Sequence, residues 1–305
     1  MLSRLNHPCI VRFWGYVPVD DSKAQQPEGA AQGSVMSTYH DSANSHASTL
    51  SPSSHSNSSS SLSLGLVMDK CDYSLAEVLT KCDRSLANVL GGGDRSVADV
   101  LKRHLPLSKA LHIAERIACG LKYLHEDAPL SVVHGDLKPA NVLLKRGTKT
   151  VQLTDFGLSH TIAVQTQSMC AVNLVGQNGA GQSGYTLQWT APEVLDGFEG
   201  GLAIEPTYAR DVYAFGIILH QLLVGKAPYK DQYTSPELLK SSVRAGGRPS
   251  WDGWEDARSG EATAVVLGKL RALVEECWAQ AATQRPDAQE VHTKLVELKG
   301  ELAAV

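Results

Sequence analysis

The chain has 305 residues, 43% of them apolar, with a formal net charge of −4 and a pI near 6.3. That is enough for one large domain or two ordinary ones around a substantial core. The mild acidity gives no reason to expect nucleic-acid binding. In chain order, Leu2, Leu5 and the HPCIV run predict a helix end turning into a strand over Ile10 to Val17. Composition then shifts: Ser34 to Ser63 holds 14 serines in 30 residues, too little apolar surface to offset ordering, so a disordered insertion is expected between about 19 and 63. It is read as a passive surface loop, with phosphorylation of its serines as the alternative.

Leu64 to Met68 reads as the next short strand, and Ser74 to Leu79 as a helix. Gly91, Gly92 and Gly93 mark a second flexible insertion, about 82 to 104. From Leu107 to His125 the apolar residues Leu111, Ile113, Ala114, Ile117, Ala118, Leu121 and Leu124 recur at helical spacing, with Ser108 as the expected cap. Short strands are predicted at Val132–Val133, Val142–Leu144 and Val151–Leu153. Beyond Glu193 the chain reads as helical over Ala209 to Leu223, Pro236 to Arg244, Ala262 to Gln280 and Ala288 to Leu302. Cys9, Cys71, Cys82, Cys119, Cys170 and Cys277 are scattered with no CxxC pair, which suits reduced cytosolic thiols better than a disulfide framework or zinc site. The N-terminus does not read as a signal peptide. The apolar run Val212 to Val224 is broken by His220 and Gln221 and is too short to span a bilayer, so a cytoplasmic protein with no membrane segment in this chain is expected.

Residues 134 to 141 read HGDLKPAN, 155 to 157 DFG, and 191 to 193 APE. Each alone could be ordinary loop sequence. In this order, with Lys138 two residues after Asp136 and Asp155 14 residues after Asn141, they resemble a protein kinase. The Cys277–Trp278, Arg285–Pro286 and VYAFGIIL segments narrow the resemblance to the tyrosine-kinase-like serine/threonine kinases. It implies an α+β, protein-kinase-like fold: an N-terminal β-lobe remnant over 1–71, and a mainly helical C-terminal lobe over 72–305. It implies transfer of the ATP γ-phosphate to serine or threonine hydroxyls of protein substrates, with ATP and Mg2+. Asp136 would orient the acceptor hydroxyl and take its proton, Asn141 and Asp155 would ligate magnesium, and Lys138 would lie near the transferred phosphate. Met68 would be the gatekeeper, Asp69 and Cys71 would offer backbone groups to adenine, and Leu143 would floor the pocket. His134 and Phe156, with Leu2 and Phe13, would form the supporting apolar stack, and Gly157 would complete the DFG turn. Thr186 would place a hydroxyl near Asp136, a surface-turn role being the alternative. Glu193 would pair with Arg285, and Asp211 would hold the backbone of the catalytic loop.

Two departures from the family pattern stand out. Gly135 replaces an arginine that normally receives an activation-loop phosphate, so phosphorylation of Ser168, Ser183 or Thr186 is not expected to switch the site by that route. The glycine-rich loop, the phosphate-gripping lysine and the helix glutamate would all lie ahead of Met1. The chain is therefore expected to be a fragment of a functional kinase with little activity alone. The alternative is a non-catalytic pseudokinase or scaffold that works by interaction.

Overall fold

The computed structural model describes residues 2–19, 63–84, 105–145, 150–156, 159–161, 187–200, 206–230, 232–252, 254 and 261–304. The bulk of both insertions and residues 162–186 lie outside these. The chain divides into two units, one of Met1–Asn6 and Val11–Lys70, the other of His7–Ile10 and Cys71–Val305.

In the smaller unit a single 3-10 turn, Leu2–Arg4, precedes an antiparallel pair, β1 (Phe13–Val19) and β2 (Ser63–Met68). Register runs from Phe13 opposite Met68 to Val19 opposite Ser63, with a bulge between Phe13 and Gly15. The strand thus starts at Phe13 and not at the expected Ile10. Trp14 is pinned at the bulge: its Nε1 donates to Asp69 Oδ1 at 2.7 Å, and the Arg12 guanidinium lies 4.1 Å from its ring centre.

In the larger unit, Ile10 instead makes a parallel bridge to Leu153. It extends a three-stranded antiparallel sheet, ordered β3 (Tyr73–Ser74), β5 (Val142–Leu144), β6 (Val151–Leu153). The Cys9 carbonyl accepts from Leu153 N at 2.7 Å and buried Gln152 donates to the Ile10 carbonyl at 3.1 Å, so this segment covers part of the β6 edge. A second small pair joins β4 (Val132–Val133) to β7 (His160–Thr161).

Helix α1 (Leu75–Arg84) starts from a reciprocal cap: Ser74 Oγ accepts from Glu77 N, and Glu77 Oε2 accepts from Ser74 N. It runs two residues past the point where the second insertion was expected to begin. Helix α2 (Leu107–Lys122) is capped by Pro106, whose carbonyl accepts from both Lys109 and Ala110, and Ser108 falls inside the first turn. Capping depends on which residue leaves helical φ/ψ, and the extended Pro106 does so before the serine is reached. The helix closes with a π turn, Tyr123–Asp127, in which Ala128 N donates to Tyr123 O at 2.7 Å.

Helix α3 (Pro192–Gly200), which the sequence did not foretell, is followed by α4 (Tyr208–Val224), buried at every position from Asp211 onward. Such a helix has no polar face, which marks it as the centre of the lobe. Gly216 lets it approach α6 (Glu261–Cys277): a Cβ there would come within 2.8 Å of Cys277 Cβ. Gly225 ends it at φ 72°, its N–H donating to Gln221 O. Helices α5 (Pro236–Arg244) and α7 (Ala288–Ala303) complete the lobe, α7 opening with a capping box between Asp287 and Glu290 and packing along α2. Fully buried Tyr213, Phe215, Leu111, Ile113, Ile117 and Leu121 dominate the core, each worth about 1.5–3 kcal/mol of transfer free energy for the aliphatic members. Among the described residues no helix is long and apolar enough to cross a membrane.

Candidate active site

The loop from His134 to Asn141 leaves β4, runs through a 3-10 turn at Pro139–Asn141 and enters β5. Loop backbone normally satisfies its N–H groups with water. Here two of them are taken by one buried carboxylate. Asp211, in the first turn of α4, accepts from His134 N at 2.7 Å through Oδ2 and from Gly135 N at 2.9 Å through Oδ1. His125, delivered by the π turn and stacked on Tyr208, puts Nε2 3.0 Å from Asp211 Oδ2. Burial pushes the Asp211 carboxyl upward, but the hydrogen bond and charge of His125, with His134 and the Gly135 amide, hold it below the usual carboxylate range. Gly135 sits at φ 83°, which a glycine adopts without a Cβ penalty, and its carbonyl accepts from Arg210 Nη2 at 2.7 Å.

The His134 ring is fully buried and fixed in one tautomer. Its Nε2 lies 3.0 Å from the Thr154 carbonyl and must donate there, so Nδ1 is the acceptor for Asp136 N at 3.4 Å. Burial keeps this imidazole neutral by lowering its pKa, against the opposing pull of Asp211. Its ring meets Phe156 at 5.2 Å between centres. Phe13 of the expected stack belongs to the smaller unit, as does Leu2.

Asp136, Lys138 and Asn141 converge. Lys138 Nζ is 2.6 Å from Asp136 Oδ2, and Asn141 Nδ2 donates to the Asp136 carbonyl at 2.8 Å and to Oδ2 at 3.2 Å. Two acceptors on one side fix the Asn141 amide, and its oxygen therefore faces away from Asp136. The Asn141 carbonyl accepts from Thr154 N at 3.0 Å, which ties the residue before Asp155 to the loop. Asp155 itself adopts φ 63°, a left-handed conformation that aspartate tolerates better than most side chains.

Away from the loop, Arg285 Nη1 and Nη2 donate to Glu193 Oε1 and Oε2 at 2.7 and 2.8 Å, a bidentate pair in which the arginine side chain is wholly buried. Met68 and Asp69 lie at the end of β2 in the smaller unit; half-buried Cys71 and Leu143 lie in the larger, where Leu143 pairs with Ser74 across the sheet. Gly157 and Thr186 lie outside the described residues, as do Ser168 and Ser183. Three contributors were not picked out from the sequence: Arg210, His125 and the Thr154 backbone. Arg210 had a signal, a cation directly before Asp211, whereas His125 depends on a π turn that no spacing announces.

The sequence model of the protein kinase domain matches residues 78–295. The chain belongs to the protein kinase domain family. The kinase domain is 32% identical over 194 residues to the probable serine/threonine-protein kinase roco6 of Dictyostelium discoideum, covering 62% of this chain and 8% of that protein. It is 31% identical over 192 residues to the serine/threonine-protein kinase STY46 of Arabidopsis thaliana, covering 62% and 27%. Against the mouse proto-oncogene serine/threonine-protein kinase mos it is 31% identical over 203 residues, covering 66% and 51%. The matched region thus spans from under a tenth to about half the length of these curated relatives.

Proposed function

We propose that this kinase domain transfers the γ-phosphate of ATP to serine or threonine hydroxyls of protein substrates, as a cytoplasmic enzyme. The observation that carries the reading is the convergence of Asp136, Lys138 and Asn141 on a loop clamped by Asp211. Asp136 accepts the hydrogen bond of the incoming hydroxyl and takes its proton as the new P–O bond forms. Lys138 offsets negative charge beside it, and a lysine here is what favours serine or threonine over tyrosine. The clamp supplies positioning, which is most of what phosphoryl transfer asks of a protein.

The donor set suits Mg2+: an aspartate and an amide oxygen are the hard ligands it prefers, and the amide of Asn141 is turned so that its oxygen is not spent on Asp136. Asp155 and Asn141 would hold the ion, which when bound neutralises phosphate oxygens of ATP. For adenine, the family correspondence assigns backbone groups of Asp69 and Cys71, with Met68 and Leu143 as apolar neighbours. The names of the relatives, each a serine/threonine-protein kinase, support the same acceptor class. A purely non-catalytic scaffold has no comparable observation in its favour.

The test is phosphate transfer from radiolabelled ATP to dephosphorylated casein by the full-length native protein, followed by phosphoamino-acid analysis. Label on serine and threonine is expected, and Asp136→Asn should lower the rate about 10³-fold while leaving the melting temperature unchanged. Label confined to tyrosine, or a variant as active as the parent, would overturn the assignment.

A further inference from the structure

His7, Cys9 and Cys119, none of them used in phosphoryl transfer, converge inside the larger unit: one ring nitrogen and two sulfur atoms all lie within 4.8 Å of one another. Cys9 is fully buried and Cys119 half-buried on α2. The Cys9 side chain abuts the α2 backbone next to its partner, since a Cβ on Gly120 would come within 3.3 Å of Cys9 Cβ. One nitrogen and two sulfurs are also a set that a soft divalent metal takes. The imidazole is turned against that use. Its Nδ1 accepts from Cys9 N at 3.2 Å, so Nε2 carries the proton, and this N–H faces Cys119 Sγ at 4.0 Å. A metal would need a bare nitrogen there; a thiolate needs the donor. The ring is held in place by stacking on Tyr123, centres 4.5 Å apart and 11° from parallel.

We propose that Cys119 is an oxidant-sensitive thiol and Cys9 its resolving partner. The Cys119 thiolate attacks one oxygen of a hydroperoxide; the O–O bond breaks, the peroxide leaves reduced to an alcohol or water, and the sulfur becomes a sulfenic acid. Cys9 sulfur then attacks that sulfur. An S–S bond forms, the S–O bond breaks, and hydroxide departs as water with the proton of Cys9. In sum, two thiols and one hydroperoxide give a disulfide, an alcohol and water.

The electrostatics agree with this division of roles. The groups facing Cys119 are Cys9 and His7, Glu115 and Arg116 of α2, and His292 of α7. The Cys9 thiol, with help from His292 and Arg116 and against the opposing effects of burial and Glu115, holds the Cys119 thiol down to about 6. Cys9 is pushed upward by its hydrogen bond to Cys119 and by burial, so it stays protonated until the sulfenic acid forms. Burial also keeps His7 in its neutral form, with Arg116 acting in the same direction.

The experiment is a titration of the native protein with hydrogen peroxide, followed by non-reducing peptide mass mapping. The expected product links the Cys9 and Cys119 peptides with loss of two hydrogens and is reversed by dithiothreitol. In Cys9→Ala, dimedone should instead trap a sulfenic acid on Cys119. Before the link forms, Cys119 should react at least about threefold faster than Cys71, a half-buried thiol outside the cluster. The mapping of the unmodified protein decides by itself should the variant fail to fold. The proposal is overturned if the two peptides never link, if Cys71 or Cys277 oxidises first, or if the purified protein retains zinc that protects both thiols. None of these readouts depends on kinase activity.

Discussion

Asp211 and Arg285 are both buried charges, and their surroundings differ in kind. The Asp211 side chain, 1% exposed, is satisfied mainly by backbone amides of a loop whose residues carry the proposed chemistry. Arg285, 0% exposed at its side chain, meets a Glu193 carboxylate that is 34% exposed, and also donates to the carbonyls of Ala209 and Ala279 beneath the Tyr213 ring. The first anchor sets local geometry: two N–H vectors on one carboxylate fix the path of residues 134 and 135. The second ties together α3, the start of α4 and the chain after α6, and so serves the lobe as a whole. A buried charge can therefore be spent on positioning or on assembly, and the identity of its partners tells which.

The sharpest way to break this contrast is at the second anchor. Glu193→Ala leaves a wholly buried guanidinium without its counter-charge and should cost about 3–5 kcal/mol in urea unfolding. Arg285→Met leaves only a partly exposed carboxylate and should cost roughly half as much. Equal costs would mean that the exposure of Glu193 is irrelevant to the pair. At the first anchor, Asp211→Asn keeps the shape but loses the charge, costing about 2 kcal/mol. Its larger effect should be on rate, about 10²-fold at a temperature where the protein is still folded. Glu193 and Arg285 variants, assayed below their melting points, should transfer phosphate at nearly the parental rate. A rate loss at both anchors in equal measure would erase the distinction between positioning and assembly.

A smaller effect separates the buried histidines. His220 is buried against Trp251 and Trp278, and desolvation takes its pKa to about 4, its hydrogen bond to the Ser250 carbonyl opposing. Unfolded, the ring accepts a proton near pH 6.5; folded, it refuses one until about 4. Between those values the unfolded state binds more protons, so stability is fully present above the window and falls as pH drops through it. From pH 7 to 5 the His220 contribution should fall by about 2 kcal/mol, and His220→Phe should flatten that part of the curve. His134, lowered in the same direction by its burial, leaves a residual slope of the same sign. An unchanged slope in the variant would remove His220 from the account.

Much of this was legible in the sequence, and the failures have physical reasons. Helices α2, α5 and α7 were readable because apolar spacing reports which face is buried, α4 because its apolar run is too long for a strand, and the loop from His134 to Asn141 through its resemblance to the kinase pattern. Ser108 misled because composition cannot tell which of two neighbouring residues turns first; the rigid Pro106 does. Ile10 misled because a β-rich run does not say which sheet receives it, and this one went to Leu153 in the larger unit. The Cys9–Cys119 approach was invisible, since residues 110 positions apart leave no periodic trace.

Helix α4 is buried from Asp211 to Val224, and the carboxylate that holds the loop sits in its first turn. The amides of His134 and Gly135 are thus bonded to a group carried by the central helix. In hydrogen-exchange terms, these two loop amides should behave as members of the slowest-opening segment of the lobe, although His134 and Gly135 themselves belong to no helix or strand.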